Sequence, residues 1–184
     1  MTDTSMEEDM AEGRIRIFTG NGRGKTSAAF GCALRRAARG ESVVIIQFLK
    51  QKADEKELAF YQRLEPEIRI FRFERGNDAF LSCDEDTRRE ETANIRNGLA
   101  FARKVLDTAE CDLLVMDEVL GLVDNHIITT RELGEILGHR GETQVILTGI
   151  TMDDEMLSYA DEISEISPVN FRRFGQKEDN NVSI

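Results

Sequence analysis

The sequence predicts an α/β fold of three layers, in which helices cover both faces of a mostly parallel sheet of about six strands. Short segments rich in Val, Ile and Leu alternate with segments of helical pattern along the chain, which is typical of repeated βαβ units. The strand segments are almost continuously apolar, as expected of strands that are buried on both faces. The 184 residues suffice for one such domain, which we place at residues 13–170.

The predicted elements follow one another in the order that this fold requires. Strands are predicted at residues 14–19, 42–48, 68–73, 113–117, 143–148 and 162–166. Helices are predicted at residues 26–39, 54–64, 84–109, 130–137 and 153–160. Gly40 is expected to close the first helix, and Ser82 with Glu85 and Thr151 with Asp154 are predicted as capping boxes.

Composition restricts the classes of function. A net charge of −11 argues against nucleic acid as a partner, because nucleic-acid-binding proteins usually carry a basic face. No apolar run approaches the ~20 residues that span a bilayer, so no membrane partner is expected. Cys32, Cys83 and Cys111 are too widely spaced for a metal clip, and their number favours a reducing, cytoplasmic location. Residues 1–12 are expected to form a flexible polar tail, and residues 171–184 a second, divergent polar tail.

The most informative segment is a glycine-rich loop at residues 20–26, between the first predicted strand and the first predicted helix. Glycines allow several backbone N–H groups to point at one anion, while Lys25 adds a positive charge and the Thr26 hydroxyl can bind Mg²⁺. The spacing is not the strict one, because Thr19 stands where the first glycine is expected. A glycine-rich hairpin turn with a solvated lysine is the alternative. The order of strand, loop and helix favours a P-loop NTPase-like, RecA-like fold that binds nucleoside triphosphate through Gly20, Asn21, Gly22, Arg23, Gly24, Lys25, Thr26 and Ser27.

Two other predicted strands deliver polar side chains to the same edge of the sheet. The strand at 113–117 ends in Asp117 and Glu118, which is typical of a Walker B element that binds Mg²⁺; an acidic pair that caps a turn is the alternative. The spacing does not decide which carboxylate meets the metal. The second strand ends in Gln47 and, after two apolar residues, Lys50, which are predicted to contact phosphate or substrate. An ordinary strand end explains this pair nearly as well.

With these motifs in hand, the sequence resembles the P-loop type of ATP:corrinoid adenosyltransferases, the cob(I)alamin and cob(I)yrinic acid a,c-diamide adenosyltransferase family. The resemblance extends from about residue 14 to residue 169. Its most specific part is the segment 18–31, including the Thr19 that breaks the ordinary motif. Supporting matches lie at residues 44–50, 73–76, 114–118 and 145–149.

The resemblance implies an enzyme that binds MgATP so that the cobalt(I) of a corrinoid attacks the 5′ carbon of the ribose and expels triphosphate. It implies ATP and Mg²⁺ as cofactors, a corrinoid acceptor, a homodimer and a flavoprotein reductant. The residues that it assigns are Lys25, Thr26 and Glu118 for catalysis, Thr26, Asp117 and Glu118 for the metal, and the loop with Gln47, Lys50, Arg75 and Phe80 for the substrates.

The sequence departs from the family pattern mainly on the corrinoid side. Family members commonly have large aromatic residues just after the glycine that aligns with Gly76. In this chain the residues 77–80 include one aromatic residue, Phe80, and the chain has no Trp. Ile150 stands where the family usually has Arg, Gly121 where a Tyr is expected, and the usual tail after Val169 is not recognisable. These departures support an alternative function, in which the chain is a nucleotide-binding homologue that has lost or changed its acceptor and acts as a regulator, carrier or complex subunit. A small kinase or ATPase is the third interpretation.

Overall fold

The sheet agrees with the prediction from the sequence. The computed structural model describes residues 12–50, 53–73 and 84–169. Within them, six parallel strands lie in the order β3-β2-β4-β5-β1-β6. Their bounds are β1 Ile15–Thr19, β2 Val43–Gln47, β3 Ile68–Arg72, β4 Leu113–Asp117, β5 Gln144–Thr148 and β6 Glu162–Glu165. The predicted parallel sheet is confirmed, with each boundary within one residue of its predicted position.

The helices agree with the sequence less closely. They are α1 Lys25–Ala37, α2 Glu55–Gln62, α3 Glu85–Asp107, α4 Leu120–Asp124 and α5 Thr130–Leu137, followed by a 3₁₀ helix at Asp154–Tyr159. The sequence did not predict α4, because five residues without a cap carry no helical period. Helices connect successive strands, as expected of βαβ units. Gly40, which was expected to close α1, has a left-handed φ of 83° and lies shortly after Ala37, the last residue of that helix.

Both predicted capping boxes are wrong, in the same way. The N-cap of α3 is Asp84, whose carboxylate accepts from the backbone N–H of Thr87 at 2.9 Å. The N-cap of the 3₁₀ helix is Asp153, which accepts from the N–H of Met156 at 3.0 Å. An Asp caps a helix as well as Ser or Thr does, so the acid nearest the helix start serves in each case. Ser82 lies outside the described residues.

The core forms two layers, one on each face of the sheet. Val43 and Ile45 of β2 pack with the buried face of α1, while Val44 and Ile46 pack with α3 and α5 on the other face. This alternation follows from the two-residue period of a strand. Because all six strands are parallel, their carboxyl ends meet at one edge, where ligands bind in open α/β sheets. We call this edge the carboxyl edge.

Candidate active site

The glycine-rich loop joins β1 to α1 at the carboxyl edge. Gly24 is the N-cap of α1 and has a φ of 117°, a conformation that favours glycine, and no side chain caps the helix. The first turn of the helix therefore presents its N–H groups without a capping acceptor. No acidic residue lies in that turn. A helix start of this kind binds anions through its N–H groups and its dipole.

The first half of the loop is tied to neighbouring strands. The N–H of Gly20 donates to the carbonyl of Ile150 at 3.0 Å, and that of Gly22 donates to the carbonyl of Ile166 at 2.8 Å. A Cβ on either glycine would lie 2.5 or 2.6 Å from that Ile166 carbonyl oxygen, so both positions require glycine for space. The Thr19 hydroxyl donates to Ile150 at 3.0 Å, which gives the unusual residue of the motif a structural role. The N–H groups at the start of α1, which no side chain caps, are available to a phosphate.

Lys25 is held close to the loop. Its ammonium group donates to the carbonyls of Gly20 at 2.6 Å and Gly22 at 3.0 Å. The side chain is half-buried, whereas Asn21, Arg23 and Ser27 are exposed. The positive charge of Lys25 therefore stands next to the N–H groups of the helix start, which is the arrangement that a polyanion requires.

Asp117, the last residue of β4, is completely buried and accepts hydrogen bonds on both carboxylate oxygens. Oδ1 accepts from the hydroxyls of Thr26 at 2.9 Å and Thr148 at 2.7 Å. Oδ2 accepts from the Gln47 amide at 3.1 Å and lies 3.3 Å from the Lys50 ammonium nitrogen. The strand β4, the loop and the end of β2 thus converge on one carboxylate, whereas the sequence predicted only that they share this edge of the sheet.

Glu118 differs from Asp117 in conformation and surroundings. Its backbone has a φ of 63°, and its N–H donates to the Thr148 hydroxyl at 2.8 Å. Its carboxylate is partly exposed and lies 3.8 Å from the ammonium nitrogen of Lys50. The left-handed conformation follows directly after β4, and among the described residues no hydrogen bond uses the acceptor capacity of this carboxylate.

Gln47 belongs to a network that sequence reasoning did not find. Its amide nitrogen donates to Asp117, while its oxygen accepts from Arg72 Nε at 2.7 Å. Arg72 also donates to Glu57 at 2.5 Å and to the Tyr61 hydroxyl at 3.2 Å. Burial raises the pKa of Tyr61, as does its hydrogen bond to Glu57. Both ends of the Gln47 amide are thus engaged by protein, so this residue orients Asp117.

Thr148 is a second residue of the site, and the sequence analysis assigned it no role. It is completely buried at the end of β5 and links Asp117 to the backbone of Glu118. The signal in the sequence was its position at the carboxyl end of a predicted parallel strand, where ligands are expected, and the structure places this end beside that of β4. Arg75 and Phe80, which were predicted to contact substrate, lie outside the described residues.

The oxygens at the carboxyl edge fit a magnesium ion that arrives with phosphate. Mg²⁺ prefers hard oxygen ligands and is commonly held by one or two carboxylates, a hydroxyl, phosphate oxygens and water. Thr26, Asp117 and Glu118 supply such oxygens, and the ammonium of Lys50 offsets one of the two negative charges. Across the described part of the chain, no group of three or more His, Cys, Asp or Glu side chains could hold a metal ion by itself. The donor set suits a metal that the nucleotide helps to coordinate.

The fold and the site define a P-loop nucleotide-binding protein. The profile of the family described as ATP:corrinoid adenosyltransferase BtuR/CobO/CobP matches residues 11–179. The chain belongs to this family, whose members are transferases. The family resemblance inferred from the motifs is thereby confirmed.

Relatives with assigned names agree with the family. The corrinoid adenosyltransferase of Escherichia coli is 31% identical over 158 residues, which are 85% of this chain and 78% of that protein. The corrinoid adenosyltransferase of Pseudomonas aeruginosa is 27% identical over 170 residues, which are 89% of this chain and 82% of that protein.

Solved structures support the fold. A KaiC-like protein of Pyrococcus horikoshii matches with a TM-score of 0.56 and 17% identity over 88% of this chain and 75% of that one. This likeness concerns the fold alone. Among the described helices, none has the length and apolar character needed to cross a bilayer.

Proposed function

We propose that this chain transfers the 5′-deoxyadenosyl group of MgATP to the cobalt(I) of a corrinoid and releases triphosphate. One observation carries the proposal: Lys25, Thr26, Lys50, Asp117 and Glu118 converge at the carboxyl edge in a chain of the adenosyltransferase family. The matches with named adenosyltransferases favour this function over a homologue without an acceptor and over a kinase or ATPase.

The described residues act mainly on the leaving group. Cobalt(I) is the nucleophile and belongs to the substrate, so no protein base is needed. The bond from cobalt to the 5′ carbon forms while the bond from that carbon to the phosphate oxygen breaks, and both electrons leave with triphosphate. The N–H groups at the start of α1 and the Lys25 ammonium bind this polyanion. Preorganised dipoles and charges of this kind stabilise charge that develops in a transition state.

The two carboxylates, Asp117 and Glu118, have different proposed roles in metal binding. Thr26 and Glu118 are the groups that would hold Mg²⁺, because Glu118 has unused acceptor capacity whereas both oxygens of Asp117 accept from protein donors. Asp117 would orient the Thr26 hydroxyl, and Gln47 and Thr148 would orient Asp117. When bound, Mg²⁺ supplies positive charge to the departing triphosphate. Asn21, Arg23, Ser27, Arg75 and Phe80 complete the proposed substrate contacts.

The proposal also includes an oligomeric state and a cellular location. A homodimer, a cytoplasmic location and a flavoprotein that reduces the corrinoid follow from the family resemblance. Cys32 and Cys111 are free thiols, as expected in a reducing compartment. Light scattering of the purified protein tests the dimer, and a monomer at micromolar concentration would contradict it.

A direct assay tests the chemistry. Purified protein is given ATP, Mg²⁺ and chemically reduced cobalamin, and we expect the light-sensitive adenosyl product together with intact triphosphate. Glu118→Gln should lose this activity, while Glu165→Gln, an exposed carboxylate change on β6, should keep it. Orthophosphate or ADP without the adenosyl product would favour an ATPase or kinase. If reduced cobalamin neither binds nor changes the ATP affinity in calorimetry, the homologue without an acceptor is supported instead.

A further inference from the structure

The ammonium group of Lys50 lies among oxygens of Thr26, Asp117 and Glu118, and two of these residues, Thr26 and Glu118, were assigned to the metal. Its nitrogen is 3.2 Å from the Thr26 hydroxyl oxygen, 3.3 Å from Asp117 Oδ2 and 3.8 Å from Glu118 Oε2. An ammonium group with three oxygen neighbours of this kind supplies positive charge among oxygens that a metal ion would also use. Unlike a metal ion, it is covalently attached to the chain, just beyond the end of β2.

We propose that Lys50 is a tethered counter-ion that competes with the divalent cation for these oxygens, so that the metal binds only together with the nucleotide. This inference rests on the proposed function, because that function assigns the oxygens of Thr26 and Glu118 to Mg²⁺. When MgATP enters, Lys50 leaves the carboxylates and contacts the triphosphate. The positive charge is thus retained in the site, but it moves from the carboxylates to the phosphates.

The backbone before Lys50 supports this role. Leu49 has a φ of 50°, which is uncommon for a residue other than glycine and costs on the order of 1 kcal/mol or more. The turn lies where the chain leaves β2. With this conformation the Leu49 side chain packs against the core, and Lys50 reaches Thr26 of α1, Asp117 of β4 and Glu118.

The surroundings allow Lys50 to move. Its side chain is 28% exposed, whereas its partner Asp117 is completely buried. The long, flexible Lys side chain can therefore exchange acceptors while the carboxylate stays in place. Asp117 would lose one of its donors without Lys50, and a buried carboxylate without compensation is unfavourable. The tethered cation thus satisfies Asp117 until the metal and the phosphates arrive.

Binding of Mn²⁺, a divalent ion that electron paramagnetic resonance detects, tests the proposal without any turnover. In the absence of nucleotide, the parent protein should leave Mn²⁺ free, and Lys50→Met should bind it roughly tenfold more tightly or better, since two carboxylates then lack their counter-ion. Lys50→Arg should behave like the parent protein. Lys56→Met is the matched control, because it removes the same charge from an exposed position on α2.

A measurement on the parent protein keeps the test decisive if Lys50→Met folds poorly, because nucleotide-free binding of Mn²⁺ as tight as that seen with ATP would overturn the proposal. Where Lys50→Met folds, calorimetric titration of ATP with Mg²⁺ present should show roughly threefold or greater weakening in Lys50→Met relative to Lys56→Met. Equal Mn²⁺ affinity in the parent and Lys50→Met, or an equal gain in Lys56→Met, would also overturn it.

The outcome is separable from that of the proposed function. If Lys50 competes with Mn²⁺ but no adenosylated corrinoid forms, the proposed function is contradicted and the role of Lys50 is supported. If adenosyl transfer occurs without such competition, the proposed function is supported and the role of Lys50 is contradicted.

Discussion

The two edges of the sheet hold their acidic residues in different ways. At the amino edge, Asp112 precedes β4, and its carboxylate accepts from the backbone N–H of Ser42 at 2.7 Å and from the Ser42 hydroxyl at 2.8 Å. Asp161 precedes β6 and accepts from the N–H of Ile15 at 2.7 Å. Each carboxylate thus fixes the start of a neighbouring strand through a backbone donor.

At the carboxyl edge, the donors to the Asp117 carboxylate that the described residues supply are all side chains. Backbone strain is also found here, at Leu49 and Glu118. Side-chain donors can turn away and be replaced by ligand atoms, whereas a backbone donor moves only if its strand moves. We therefore expect charges at the amino edge to stabilise the fold and charges at the carboxyl edge to serve binding and catalysis.

The largest expected effect is that of Lys25→Ala at the carboxyl edge. The change removes the cation next to the start of α1, so ATP should bind at least roughly tenfold more weakly, and adenosyl transfer should fall by roughly 10²-fold or more. The free energy of unfolding should change by less than about 1 kcal/mol, since only contacts of a half-buried side chain to loop carbonyls are lost.

Calorimetry, the adenosylation assay and urea denaturation check these three values. Arg39→Ala is the control, because Arg39 is exposed beyond the far end of α1. An ATP affinity equal to that of the parent protein would contradict the role of Lys25. A large loss of stability would contradict the separation between the two edges.

The two carboxylates at the end of β4 provide the second test. Asp117→Asn disturbs a completely buried group with four donors and should lower the free energy of unfolding by about 1–3 kcal/mol. Glu118→Gln changes a partly exposed group and should stay within about 0.5 kcal/mol of the parent protein. Both variants should lose activity. Urea denaturation separates them, and equal stabilities would show that Asp117 is no more structural than Glu118.

Much of this arrangement could be predicted from the sequence because it depends on local order. The strands were found from continuous apolar runs, and the loop from glycines followed by Lys25 and Thr26. Parallel strands then place Asp117, Gln47 and Lys50 at one edge without knowledge of any contact. The predicted P-loop NTPase-like fold and the family are confirmed for this reason.

The remainder depends on contacts between residues far apart in the chain. Arg72 and Thr148 join the site only through the strand order, in which β3 lies beside β2 and β5 beside β4. The carbonyl of Ile166, which requires glycine at positions 20 and 22, comes from the other end of the chain. The left-handed conformations of Leu49 and Glu118 could not be predicted from the sequence, because residues of these two types usually avoid that conformation.

A third and smaller effect is expected at Ile150, where the family usually has Arg. This side chain is 52% exposed, and its carbonyl accepts from Thr19 and Gly20 at the beginning of the loop. Ile150→Arg would bring a cation to the nucleotide side, so ATP should bind roughly threefold more tightly. Stability should change by less than about 0.5 kcal/mol. Leu157→Arg is the matched control at an exposed position, and an equal gain in both variants would assign the effect to net charge.

The smallest expected effect concerns Asp112 at the amino edge. The backbone and hydroxyl hydrogen bonds from Ser42 hold the pKa of Asp112 below its ordinary value. A lowered folded-state pKa contributes stability that is present above the unfolded pKa of about 3.9 and is lost as the pH falls through the folded-state pKa. Asp112→Asn should therefore lower the free energy of unfolding at neutral pH by about 0.5 kcal/mol, since the group is largely exposed.

The difference in the free energy of unfolding between Asp112→Asn and the parent protein should shrink as the pH falls below the pKa of the carboxyl group in the unfolded state. Urea denaturation at a series of pH values measures this, with Glu142→Gln as the control at an exposed position. Because Asp112 binds the start of β2 and not the carboxyl edge, ATP affinity should be unchanged. A loss of ATP affinity in Asp112→Asn would mean that strain at one edge is transmitted along β4 to the other, and the two edges would then form one functional unit.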